Sequence, residues 1–144
     1  MSEEMVNELT RLAPHSEINC GYPSLLELKW KEMAKEDLQE AQKSLIEFVE
    51  GETKFNREMH LAQALYVLAS LPYEEGKFGL ELVEEGLKSN SIWCNECALG
   101  VLEQWENLEL AEKMLADFHS EEKWLQEYRD KVLEYMKKSQ KEII

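Results

Sequence analysis

An all-α fold is predicted for this chain on three observations. Apolar residues recur at helical spacing through nearly the whole sequence, and no stretch sustains period-two alternation. Only three prolines occur (Pro14, Pro23 and Pro72), and all fall between the periodic segments. One pattern is also written twice. Ala64-Leu65-Tyr66-Val67-Leu68 returns thirty-four residues on as Ala98-Leu99-Gly100-Val101-Leu102. The stretch from Leu80 to Leu87 returns twenty-eight residues on, from Leu108 to Leu115. The connector differs in length while both helical halves keep their pattern, as in duplicated helix-turn-helix units.

The elements follow in order within one expected domain, 1–144. Residues 1–23 are the least patterned. They form either a flexible N-terminal segment or a short helix lined by Val6, Leu9 and Leu12. Pro14 and the run Asn19-Cys20-Gly21-Tyr22-Pro23 break it. Ser24-Leu25-Leu26-Glu27 has the capping-box form, so a helix starts there, with Leu25, Leu28 and Trp30 or Met33 facing inward. It ends near Ala34 or runs with a kink into the next. From 36 to 50 one stripe holds Leu38, Ala41, Leu45, Phe48 and Val49, and Gly51 sits just beyond the helix end.

The helix expected over 55–71 is apolar on two faces. Phe55, Met59, Ala62, Leu65 and Ala69 form one; Leu61, Ala64, Leu68 and Leu71 form the other. Such a helix packs between neighbours. The segment 73–88 reads as one amphipathic helix through Phe78, Leu82 and Leu87, slightly weakened by Gly79 and Gly86. Ser89-Asn90-Ser91 breaks the chain, 92–106 is again apolar on more than one face, and Asn107 caps a short helix through Leu115. Ser120 is the expected cap of the last helix, with Glu121 and Glu122 in its first turn. Trp124, Leu125, Tyr128, Val132, Tyr135 and Met136 form its inward stripe. The sum is about seven helices in antiparallel hairpins.

At 58–118 the repeated pairs, Ala-Leu-x-x-Leu in the first helix and Leu-x-Leu-x-x-x-x-Leu in the second, resemble the HEAT-like class of helical repeat proteins. The likeness is looser over 36–57 and 119–141. It implies an α-solenoid, a right-handed superhelix, and an architecture rather than an activity. It also implies that the second helices line a concave partner face.

The charge balance narrows the partners. Thirty acidic residues against sixteen basic give −14. Such a surface repels nucleic acid and anionic membranes and attracts basic proteins. The acidic N-terminus has no apolar core of a signal peptide, and no run reaches the length of a membrane span. With three cysteines, these features point to a cytoplasmic protein with free thiols.

Trp93-Cys94-Asn95-Glu96-Cys97 resembles the Trp-Cys-x-x-Cys of thioredoxin-like oxidoreductases. The strand that should precede such a motif is missing, and so is the family's Gly-Pro between the thiols. The repeat aligns Cys94 and Cys97 with His60 and Gln63, so small packing residues are the plainer reading. A zinc site would need partners among Cys20, His15, His60 and His119, which form no spaced motif. The histidines are expected at the surface or its boundary. No di-iron, phosphate-loop or nucleophile-elbow signature occurs. An enzyme is therefore not expected, nor a metal or other cofactor. The four tryptophans and five tyrosines read as core and inter-helix anchors, with Tyr73 the expected exposed one.

Between Pro72 and Glu122 thirteen acidic residues face three basic ones. Glu81 and Glu84 align with Glu109 and Glu112, so stacked second helices would carry one acidic ridge. With Tyr73, Glu74, Glu75 and Glu85, these make the expected partner-binding set. The leading expectation is a stoichiometric binder of a basic, toxin-like protein such as a nuclease. Small, acidic, leaderless helical proteins of bacterial toxin-immunity systems resemble this chain in composition. A general scaffold or adaptor, and then a Cys-x-x-Cys thiol oxidoreductase, are the alternatives. The oligomeric state is not readable.

Overall fold

The structure, a computed structural model, describes the backbone at residues 2–18, 22–51 and 54–143, and the side chains at 3–18, 22–51 and 56–139. Cys20 and the side chain of Phe55 therefore lie outside the described residues. The architecture is all-α, with no β-strand among the described residues. The helices are α1 (Ser2–Leu12), α2 (Leu25–Glu36), α3 (Leu38–Glu50), α4 (Lys54–Ala69), α5 (Tyr73–Gly76), α6 (Leu80–Lys88), α7 (Ile92–Trp105), α8 (Leu108–Leu115) and α9 (Lys123–Ile143). Short 3-10 turns follow α1 and α5.

The helix starts are chemically marked. Ser24 Oγ accepts from the Glu27 amide at 3.0 Å, and Asp37 Oδ1 from Glu40 at 3.2 Å. Ser91 Oγ accepts from Cys94 at 3.3 Å, and Asn107 Oδ1 from Leu110 at 3.1 Å. Each such cap stabilises its helix by about 1 kcal/mol. The reciprocal half of the box at Ser24 is replaced: Glu27 turns its carboxylate to Lys31 Nζ, 2.9 Å away.

α4 and α7, the first helices of the two copies, pack on each other more extensively than any other pair. Ala62, Ala64, Leu65 and Leu68 of α4 are buried, as are Ala98, Leu99, Val101 and Leu102 of α7. Apolar burial on two faces of α4 is thus as the periodicity predicts. α6 closes one side against both, α3 and α2 continue the core from α4, and α9 lies on α7 and α8. Burial of each such leucine stabilises by about 2 kcal/mol. At Gly86 the backbones come close: an added Cβ would stand 2.8 Å from Leu65 Cδ1 and 3.0 Å from Ala98 Cβ. The glycine that weakens α6 locally is what lets it seat between α4 and α7. Trp30 and Trp105 act as the anchors expected of them. Trp30 Nε1 donates to the Ala41 carbonyl at 2.8 Å, and Trp105 Nε1 to that of Leu68 at 3.3 Å.

Several expectations need correction. The inner stripe of α2 is Leu26, Trp30 and Met33, while Leu25 and Leu28 are exposed, because the helix is turned one position from the expected phase. Leu38, at the first position of α3, is exposed. Segment 73–88 is two helices, since the 3-10 turn Lys77–Gly79 interrupts it. Ser120 does not cap α9; its hydroxyl accepts from the Glu122 amide at 3.1 Å, so both Glu121 and Glu122 precede the helix. Leu125, Val132 and Met136 hold the inner stripe of α9, and Trp124 and Tyr135 stand outside it. His60 is buried, not peripheral. Its ring stacks on Phe48 at 4.1 Å and its Nδ1 donates to the Phe48 carbonyl at 3.1 Å. His15 and His119 are exposed, as expected.

Candidate functional site

The two faces of α7 do different work. One face, with Cys94, Asn95, Ala98, Leu99, Val101, Leu102 and Trp105, is buried. Asn95 Nδ2 donates to the carbonyls of Gly86 at 2.7 Å and Ser89 at 3.0 Å, which ties the end of α6 to α7. The other face presents Trp93, Glu96, Cys97, Gly100, Glu103 and Gln104 in one stripe at helical spacing. This stripe floors an open groove of about 560 Å³, large enough for a small ligand or a few side chains. Tyr66, Ala69 and Ser70 of α4 form one wall. Tyr128 of α9, and the chain at Ile18, Tyr22 and Pro23 with Glu27 of α2, complete it.

Gly100 keeps the groove open. A Cβ there would lie 3.8 Å from Tyr128 Oη, an ordinary contact, so nothing but the missing side chain leaves the space clear. The repeat places Tyr66 at the equivalent position of α4. Two hydrogen bonds brace the walls. Tyr66 Oη donates to the Tyr22 carbonyl. Tyr128 Oη donates to Glu103 Oε2 at 2.7 Å.

Among the described residues, no lysine or arginine lines the groove, whereas three carboxylates do. Glu27 is buried and answered by Lys31. Glu103 is held by Tyr128. Glu96 is exposed and has no ion-pair partner among the described residues. Tyr22 is 72% exposed and Trp93 is 42% exposed, an unusual share for large aromatics. Among the described residues, the groove thus combines aromatic surface with uncompensated negative charge.

The thiols in this region are not activated. Cys97 lines the groove, yet burial, then the neighbouring Cys94 and Glu96, push its pKa up to about 12. Burial also raises that of Cys94, against the opposing hydrogen bonds of Ser91 and Ser89. Cys94 Sγ donates to the Glu58 carbonyl at 3.2 Å. Cys94 is the packing residue expected, whereas Cys97 is a groove residue. No group of three or more His, Cys, Asp or Glu side chains is placed to hold a metal among the described residues.

The expected partner-binding residues are dispersed. Glu81 and Glu84 are exposed on α6, but Glu85 is half-buried and its Oε1 accepts from Arg57 Nε at 2.8 Å. Glu74 pairs with Lys77 at 2.7 Å, which raises the Lys77 pKa; Glu75 is exposed. Tyr73 is not the exposed aromatic expected. It is half-buried, edge-on to Trp105 at 5.4 Å. With Trp105 and Glu106 it lines a shallow cleft that also takes in Glu109 and Glu112. α6 and α8 are not among the extensively packed helix pairs, so the ridge expected from side-by-side stacking of the two helices has no such packing behind it. The turn explains this. Ten residues holding α5 separate α4 from α6, but only Glu106 and Asn107 separate α7 from α8.

The groove residues Tyr22, Tyr66, Trp93, Glu96, Gly100 and Tyr128 lie outside the expected partner-binding set; Trp93 and Glu96 are read only within the Trp-Cys-x-x-Cys resemblance, and Tyr128 only as part of an inward stripe. The signal was present in the polar and small residues that follow Trp93 along one face of 93–104, and in the exchange of Tyr66 for Gly100. Comparison with protein-family models, with curated proteins and with solved structures gives no match.

Proposed function

We propose that this chain is a non-catalytic, acidic helical binding protein that holds a basic protein partner in one-to-one fashion. Its concrete form is an inhibitor or immunity protein that covers a cationic toxin such as a nuclease. One observation carries the reading: the groove lined by Tyr22, Tyr66, Trp93 and Tyr128 has, among the described residues, three carboxylates and no lysine or arginine around it. A net charge of −14 adds long-range attraction for a cationic partner and repulsion of nucleic acid and anionic membranes. Among the described residues no helix is long and apolar enough to cross a membrane. A cytoplasmic setting is part of the same reading.

A HEAT-like stack remains the architectural form of this proposal. Packing of α4 on α7 supports it, since first helices of adjacent repeats meet in such stacks. The separation of α6 from α8 weighs against a regular superhelix. The second reading is a scaffold whose partner uses apolar surface. Trp124 and Tyr135, 46% and 56% exposed on α9, favour it. The raised thiol pKa values weigh against a thiol oxidoreductase, because the thiolate is the reactive species.

Affinity capture on the immobilised chain from its native host, with elution by rising salt, tests the proposal. A basic protein released as ionic strength rises is the expected result. Charge reversal at Glu96 together with Glu109 and Glu112 should slow its association. A partner that is retained or strengthened at high salt would favour the scaffold reading instead.

A further inference from the structure

The groove has a chemistry of its own. Four aromatic rings from four parts of the chain, Tyr22, Tyr66, Trp93 and Tyr128, converge on one concave surface. Each ring face carries negative potential, and a cation within about 6 Å of its centre is attracted to it. Glu96 adds a formal charge beside Trp93 with no cation of this chain to answer it among the described residues. Gly100 leaves the floor open between them. The first copy supplies a precedent for what covers such a face. Gln63, the counterpart of Cys97, is buried beneath the chain at Ser16, whose carbonyl accepts from Gln63 Nε2 at 2.6 Å. The face that non-helical chain seals on α4 is open on α7.

We propose that the α7 groove is a docking site for a non-helical basic segment of the partner, which inserts one lysine or arginine side chain between these aromatic rings with Glu96 facing the cation. The proposal rests on the basic-partner reading above and names the part of the partner that is recognised. The aromatic rings receive the aliphatic stem of the side chain, and the carboxylates and ring faces receive its charged end. A purely apolar segment would leave Glu96 beside it without a counter-charge.

The test uses the full chain, labelled for NMR, and three blocked heptapeptides of glycine and serine that differ only in the central residue: arginine, lysine or norleucine. The arginine and lysine peptides should shift the Trp93 indole and the Glu96 and Gly100 amides. The norleucine peptide, equal in apolar length and without charge, should not. Trp93→Ala and Gly100→Leu should each weaken binding about tenfold, the size of a desolvated cation–aromatic contact. Glu96→Gln should weaken it less, and Glu36→Lys with Glu50→Lys, both exposed and outside the groove lining, should leave it unchanged. Thermal melts of each variant separate loss of binding from loss of fold. Equal binding of the norleucine peptide overturns the cation reading, and so does absence of any shift at millimolar peptide. If the peptides fail while a basic host protein is still captured in a salt-sensitive way, the groove assignment falls and the basic-partner reading stands. If the cationic peptides bind while no basic protein is captured, the reverse holds.

Discussion

The helices α4 and α7 carry the same repeated pattern and bury equivalent leucines, yet their outer faces have opposite fates. On α4, Ala62 and Gln63 are buried, with Gln63 fastened to Ser16. Ser16 in turn accepts from the Leu26 amide at 3.0 Å, so a single residue clasps the N-terminal segment, α2 and α4. On α7 the counterparts Glu96 and Cys97 line an open groove. Met59 is replaced by Trp93, Tyr66 by Gly100, and Ala69 by Glu103. Duplication kept the packing face and changed the other. The place to look for function is therefore where the second copy departs from the first, not where the two agree. The glutamates that recur in register on α6 and α8 agree between copies, and those two helices are not an extensively packed pair.

The strongest way to break this comparison is in the shared core. Leu65→Ala and Leu99→Ala are both fully buried truncations and should each cost about 2–5 kcal/mol in urea unfolding. A much smaller loss at one of them would mean that the two packing faces are not equivalent. The outer faces should then diverge. Gln63→Ala strands the buried Ser16 carbonyl and should cost about 1–3 kcal/mol. Cys97→Ala on the open face should cost less than about 1 kcal/mol. Comparable losses at the two sites would show that the groove is as structural as the clasp.

The helix ends sharpen the same contrast. α7 stops at Glu106, which holds φ 51°, a left-handed conformation that favours glycine. Glu106→Gly should stabilise the chain by up to about 1 kcal/mol in thermal or chemical unfolding. No gain would mean that contacts of the Glu106 side chain offset its backbone strain. A pH dependence is expected from Cys97 in alkaline solution. Its folded pKa is raised, so the unfolded chain loses the proton first. The stabilisation is complete below the ordinary thiol range and fades as pH rises toward about 12. Cys97→Ala should therefore flatten the fall in unfolding midpoint over that window. Alkylation of Cys97 by iodoacetamide at neutral pH should also be slow, because little thiolate is present. Rapid alkylation would contradict the burial that raises its pKa.

Much of the fold was legible because helical periodicity, caps and breaks are local. Asn107 and Ser24 read as caps and are caps; the repeated Ala-Leu-x-x-Leu marks the two helices that meet at the centre. The misreadings arose where a residue's fate depends on a neighbour far along the chain. Trp93 and Trp105 look alike in a helical pattern, but one lines the groove while the other donates to α4. His60 looks peripheral until Phe48 covers it. Tyr73 looks exposed until Trp105 receives its edge.

By itself the sequence determined the all-helical class, the positions of most helix starts and the duplicated packing face, because 3.6-residue spacing and capping hydrogen bonds need only nearby residues. Only the tertiary structure decided which second face is sealed and which stays open. That choice rests on the Gln63–Ser16 contact, the exit of α8 through Glu106 and Asn107, and the convergence of Tyr22, Tyr66, Trp93 and Tyr128. These are long-range pairings, and no local spacing encodes them.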